Sequence, residues 1–175
     1  MKAFAVEFYK NGKLQRNKIK NHPRYPYHLL REEMQEFILD KLQLLIERKL
    51  IKGIGENGTE YTVIAQILDL PKEILRLIQK FDFTKKNPKL IYINTGETMI
   101  SLQDSILVTF LNLAGFDILF FVPTGYQSVE NYFAEKLMEE HQIGEYKYDM
   151  QVPDLNNIST NSTRPSWRRK LFRRG

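Results

Sequence analysis

The stretch from Pro88 to Tyr126 constrains the fold most. Lys89-Leu-Ile-Tyr-Ile93 and Asp117-Ile-Leu-Phe-Phe-Val122 are short apolar runs rich in β-branched and aromatic residues, the texture of buried strands. Between them, Leu102–Ala114 carries apolar residues at helical spacing and ends at Gly115, a residue suited to a left-handed helix cap. Ser101, just before it, and Asp104, in its first turn, form a capping-box-like pair, with Asp in place of the usual Glu or Gln. Strand, helix, strand in that order predicts parallel pairing, because parallel strands need a crossover connection rather than a tight turn. A further helix capped by Ser128 and running to about Glu140, then a strand over Glu145–Val152, continues the pattern. The expected fold class is therefore α/β: a Rossmann-like parallel sheet with flanking helices. Right-handed crossovers would bring the polar loops 94–98 and 123–127 to one edge of that sheet.

Upstream the texture changes. Ala3–Tyr9 reads as a short strand, with a turn at Asn11-Gly12. Residues 10–26 are basic, contain Pro23 and Pro26, and are expected to be an irregular arm. From Tyr27, apolar residues Leu30, Met34, Phe37, Ile38, Leu45 and Ile46 recur at three- and four-residue spacing. Glu32, Glu33, Glu36, Asp40 and Glu47 fill the other face, so a helix is predicted as far as Gly53. Two shorter helices follow at 60–69 and 71–81, Pro71 being tolerated in a first helical turn. The expected organisation is a strand and basic arm (1–26), a small helical unit (27–87), the α/β domain (88–152), and a linker with a basic tail (153–175).

The 42% of apolar residues and 27% of charged ones are globular proportions and argue against a disordered chain. Zero cysteines exclude disulfides, thiolate metal sites and a cysteine nucleophile, and permit a cytoplasmic location. The net charge of +5 suggests a nucleic-acid partner until it is resolved along the chain. Residues 1–26 hold seven Lys/Arg against Glu7 alone, and residues 164–175 hold six Lys/Arg and no acid. The intervening body has 13 basic and 20 acidic residues. Nucleic acid is thus a less favoured partner for the body, although Lys72, Arg76 and Lys80 form an i, i+4, i+8 basic stripe. The most apolar run, Ile106–Val122, is interrupted by Asn112, Gly115 and Asp117 and is shorter than the roughly 20 residues of a membrane span.

Phe81-Asp-Phe-Thr84, Glu97-Thr-Met-Ile-Ser-Leu-Gln-Asp-Ser105, Gly115-Phe-Asp-Ile118, Pro123-Thr-Gly-Tyr126 and His141-Gln-Ile-Gly-Glu-Tyr146 resemble the C-terminal part of the Firmicutes YceG-like family. The resemblance is good over 60–155, looser in the tail and weak over 1–59. It implies a component of a biosynthetic module, encoded beside TerD-type stress and tellurium-resistance proteins. It also implies that the chain is the C-terminal portion of a longer protein, whose N-terminal part would be a partner. It implies no catalytic residues.

In open parallel sheets, ligands bind beyond the carboxyl ends of the strands. Asn94, Thr95 and Gly96 on one loop, and Thr124, Gly125 and Tyr126 on the other, are the candidate ligand-binding residues. The glycines permit close backbone approach, and the hydroxyls and amides suit a phosphate, sugar-phosphate or nucleotide-type anion. Neither loop is a Walker or GxGxxG motif, so no cofactor is specified. Glu97 and Asp104 are candidates for accepting ligand hydroxyls or for general-base work, and His141, beside Glu140, Glu145 and Tyr146, for acid–base work. The same residues would equally serve as turn, cap and surface groups. No paired ligand spacing points to a metal.

Asn156–Thr163 reads as a linker. Beyond it, Trp167, Leu171 and Phe172 sit among Arg164, Arg168, Arg169, Lys170, Arg173 and Arg174. On a helix they form an apolar wedge with a cationic rim, suited to an anionic membrane surface at the inner face, an acidic protein or RNA. Two functions are expected as alternatives: a ligand-binding portion of a biosynthetic protein, or a non-catalytic adaptor held at a membrane by this tail.

Overall fold

The computed structural model describes residues 2–80, 87–96, 100–126 and 129–151; Glu97, the 81–84 motif, Ser128 and the whole linker and tail lie outside them. The chain begins with helix α1 (Lys2–Phe8), where a strand was expected. Alternation would have placed Phe4, Val6 and Phe8 on one face. Instead Ala5 and Phe8 are buried while Val6 is 54% exposed, so the apolar side chains follow the helical repeat.

The expected irregular arm is ordered as well. Strands β1 (Tyr9–Lys10) and β2 (Lys13–Leu14) pair as an antiparallel hairpin. Asn11 (φ 50°) and Gly12 (φ 77°) take the two left-handed positions that such a two-residue turn needs. Helix α2 (Arg16–Lys20) then lies along α3 (Glu32–Glu47), and the charges interlock. Arg16 reaches Glu36 and Asp40, each at 2.6 Å, and Lys20 reaches Glu32 and Glu36. His22 lies against Phe4 and Phe8, and Arg24 covers the Phe4 ring. Arg16 and Lys20 are therefore engaged with the body of the protein, while Lys10, Lys13 and Lys18 are exposed.

Helix α3 starts five residues later than periodicity suggested and stops before Gly53. Its end is a Schellman motif: Lys49 N donates to Ile46 O and Leu50 N to Leu45 O, with Lys49 itself at φ 49°. Helices α4 (Thr59–Ile67) and α5 (Lys72–Lys80) follow the expected ranges. They meet at Pro71, which has no N–H to continue the α4 ladder to Ile67 O. The Tyr27 hydroxyl takes that role, donating to Ile67 O and accepting from Leu70 N at 3.0 Å.

Strand β3 (Lys89–Ile93), helix α6 (Leu102–Leu113) and strand β4 (Asp117–Phe121) form the expected crossover unit. The strands are parallel and in register from Lys89↔Asp117 to Ile93↔Phe121. Ser101 caps α6: its Oγ accepts from Asp104 N at 3.0 Å and donates to the Asp104 carboxylate at 2.6 Å. Buried Ser105 and Thr109 donate their hydroxyls to the carbonyls one turn back, so neither leaves an unmet polar group in the core. One hydrophobic cluster runs from Ala5 through α3, α4 and α6 to Phe133.

The remainder of the Rossmann-like pattern does not form among the described residues. Among the described residues no helix follows position 128. Residues 129–134 are turns, held by an Ile51↔Phe133 bridge and by Lys52 N donating to Tyr132 O. Val129 and Phe133 have helical spacing, but both are buried in the core cluster; apart from a turn bond from Phe133 N to Glu130 O, the backbone hydrogen-bonds to residues 50–52 rather than in a helical ladder. Residues 145–151 are not a strand; Lys147 N donates to Pro123 O, past the end of β4, with no ladder behind it. Among the described residues the parallel sheet has two strands. Among the described residues, no helix is long and apolar enough to cross a membrane.

Candidate functional site

The C-terminal ends of β3 and β4 bring the two polar loops together. Beyond the Ile93↔Phe121 pair, Asn94 N donates to Phe121 O at 2.9 Å, so the loops leave the sheet side by side. Each is braced by its own side chain. Asn94 Oδ1 accepts from Gly96 N at 3.3 Å, and Thr124 Oγ1 accepts from Tyr126 N at 3.3 Å. These local bonds are the ordinary turn chemistry of Asn and Thr, and they engage one acceptor of each group. Thr95 is half-buried, Gly96 exposed, Thr124 buried and Tyr126 exposed.

Gly125, at φ 68°, takes a conformation few side-chain-bearing residues adopt. The Tyr146 ring occupies the space a Cβ would need there, so only a glycine fits beneath it. Sequence reasoning grouped Tyr146 with His141; the structure sets it on the 123–126 loop. The Lys147 N–Pro123 O bond carries the 145–147 backbone to the same edge, where Lys147 is exposed. Gly125 was the available signal: a glycine at a loop apex invites a ring to pack on the backbone.

Asp104 is committed to the Ser101 cap, and its charge lies near Tyr92. Burial, with Asp104 behind it, raises the Tyr92 phenol above its ordinary value, so this hydroxyl stays protonated. Its ring stacks on Phe120 at 5.2 Å between centroids, which stiffens the sheet beneath the loops. His141 is exposed, and its Nε2 lies 3.7 Å from the carboxylate of Glu139, which is exposed as well. Among the described residues no such contact joins it to the loops, and a solvent-exposed pair of this kind contributes little. Glu97 and Arg164–Arg174 fall outside the described residues. No cluster of three His, Asp or Glu suited to a metal occurs among the described residues.

What the edge offers chemically among the described residues is a set of hydrogen-bond donors around glycine-containing turns, with Lys147 near in the chain, which suits an anionic group. Residues 1–163 match the family described as the YceG domain, including the 1–59 stretch that motifs alone linked only weakly. A relative named "Uncharacterized protein YceG", from Bacillus subtilis (strain 168), is 31% identical over 93 residues. Those residues are 51% of this chain and 17% of the relative. No solved structure matches.

Proposed function

The chain belongs to the YceG domain family, and from that premise we propose that its β3–α6–β4 unit binds a small anion of sugar-phosphate or nucleotide type between the 94–98 and 123–127 loops. The observation that supports this most is the Asn94 N–Phe121 O bond, which holds both polar loops at the C-terminal edge of a parallel pair. That edge is where parallel sheets offer ligand sites. Thr95, Thr124 and the exposed amide groups would donate to the anion, and Lys147 would offset its charge. The resemblance to a biosynthetic module linked with stress and tellurium resistance makes sugar nucleotides and nucleotides the first compounds to try.

Thermal-shift measurements with inorganic phosphate, nucleotides and sugar nucleotides test the proposal. A bound ligand raises the melting temperature in proportion to the logarithm of its excess over Kd. The rise should shrink in Thr124→Ala and Lys147→Ala, and in Glu97→Ala with the hydroxyl-bearing sugar nucleotides and nucleotides. No rise with any compound, or an equal rise in all three variants, overturns the proposal and leaves the non-catalytic adaptor as the better account.

A further inference from the structure

Beyond the exposed Lys89–Asp117 ion pair at its start, the face of β3 and β4 turned away from the core is apolar and open. Leu90, Tyr92, Ile118 and Phe120 lie on the opposite, core-facing side, and Leu90, Ile118 and Phe120 pack against the core cluster. The alternate residues form a two-by-two block, Ile91 beside Leu119 and Ile93 beside Phe121. Ile91 is 56% exposed, Leu119 49%, Ile93 41% and Phe121 46%. Parallel strands are ordinarily covered on both faces, and contiguous exposed apolar patches mark contact surfaces.

We propose that the chain's own C-terminal segment, residues 164–172, docks on this face, setting Trp167, Leu171 and Phe172 over the Ile91/Ile93/Leu119/Phe121 block. Two observations select this occupant. The first is chain geometry. The Lys147 N–Pro123 O bond, 2.8 Å, returns the backbone to a point two residues past Phe121. The residues from there to Trp167 reach across the sheet easily, at roughly 3.3 Å each when extended. A tethered segment also meets the face at high effective concentration.

The second is charge. Residues 129–151, which lead away from β4, expose Glu130, Glu135, Glu139, Glu140, Glu145 and Asp149 against only Lys136 and Lys147. The tail brings six cations before Gly175 and no acid. That acidic stretch attracts the cationic tail and disfavours the approach of an anionic bilayer to it. A second copy is less suited, because four half-exposed side chains fall well short of the roughly 800 Å² per partner of a standard interface.

Trp167 is the only tryptophan, so its fluorescence reports the docking directly. The intact chain is compared with N-acetyltryptophanamide in the same buffer, with and without acrylamide as quencher. Docking predicts blue-shifted, quencher-protected emission that is independent of protein concentration. In Ile91→Lys/Leu119→Lys the emission should move to the reference position while the far-UV circular dichroism holds. Should that variant unfold, Leu119→Gln gives the same comparison with a milder change.

Wild-type emission that coincides with the reference overturns the proposal, as does a blue shift untouched by the substitutions. A shift that fades on dilution overturns it in favour of a second copy. A shift seen only with phosphatidylglycerol-containing vesicles overturns it in favour of a membrane-bound tail. None of these outcomes depends on whether the 94–98 and 123–127 loops hold an anion.

Discussion

Replacing Tyr27 by phenylalanine removes one oxygen and should disconnect two helices. The hydroxyl donates to Ile67 O, whose usual helical donor would be the N–H that Pro71 lacks, and it accepts from Leu70 N. Tyr27, Ile67 and Leu70 are all buried, at 1%, 0% and 6% exposure, so water does not readily replace the lost partner. Each orphaned buried group costs about 1–3 kcal/mol, and phenylalanine retains the ring packing, so a loss of about 3 kcal/mol is expected. For a chain of this size that corresponds to a fall in Tm of about 6–12 °C.

Urea unfolding followed by circular dichroism measures the loss. An alkaline titration gives an independent readout. Burial is the main cause that lifts the Tyr27 phenol above its ordinary value of 10.0, and it lifts the neighbouring Tyr25 phenol to about 12. A phenol whose folded-state pKa is raised by burial makes a contribution that is unchanged below about pH 10. Above the unfolded value of 10.0 the unfolded chain releases its proton while the folded one holds it, so stability declines as pH rises. The Tyr27→Phe protein should show a shallower alkaline decline. A stability change within about 0.5 kcal/mol of zero, the range of neutral surface substitutions, together with an unchanged alkaline limb, would refute the bridging role.

Two further expectations concern the remaining contacts. Glu36 is held below the ordinary 4.5, first by its hydrogen bond from Lys20 and also by Arg16, against an opposing effect of burial. Its contribution should be present above about pH 4.5 and be lost as pH falls through the lowered folded value. Because the Arg16 and Glu36 side chains are 35% and 38% exposed, solvent screening limits the cost of Glu36→Gln to about 0.5–1 kcal/mol, reduced further by salt. Denaturant titrations at neutral pH and well below the ordinary carboxylate value compare the two proteins, and an equal gap under both conditions would count against the pairing. Ser101→Ala removes the α6 cap and should lower stability by about 1 kcal/mol, measured by thermal unfolding, with Ser101→Thr, which keeps the hydroxyl, recovering most of it.

The local rules carried furthest where one short segment contains its own instructions. The β3–α6–β4 unit was legible because Ser101, Gly115 and two flanking apolar runs state its boundaries within a few turns of chain. Helices α4 and α5 were legible for the same reason. Beyond position 128 the same rules failed. Val129 and Phe133 have helical spacing, yet the backbone there pairs with residues 50–52, a partner far away in the chain. At the N-terminus, α1 is a helix because Ala5 and Phe8 turn into a core that α4 helps to build. Its seven residues contain too few repeats to separate a period of 2 from one of 3.6. Of the candidate site, both loops could be named from their polar and glycine residues, but Tyr146 and Lys147 could not.

Taken alone, the sequence determined the parallel pairing and the loop edge it creates, since caps, breaks and apolar runs act over a few residues. It also determined the charge layout, an acidic body with basic ends. Tertiary structure decided what becomes of those charges and surfaces. It set Arg16 and Lys20 on the acidic face of α3, so the N-terminal arm is part of the body rather than a free basic strand. It limited the parallel sheet to two strands among the described residues and left one of its faces open. The physical reason is range: hydrogen-bond capping and turn geometry are local, whereas ion pairing and burial depend on which distant segments the core brings together.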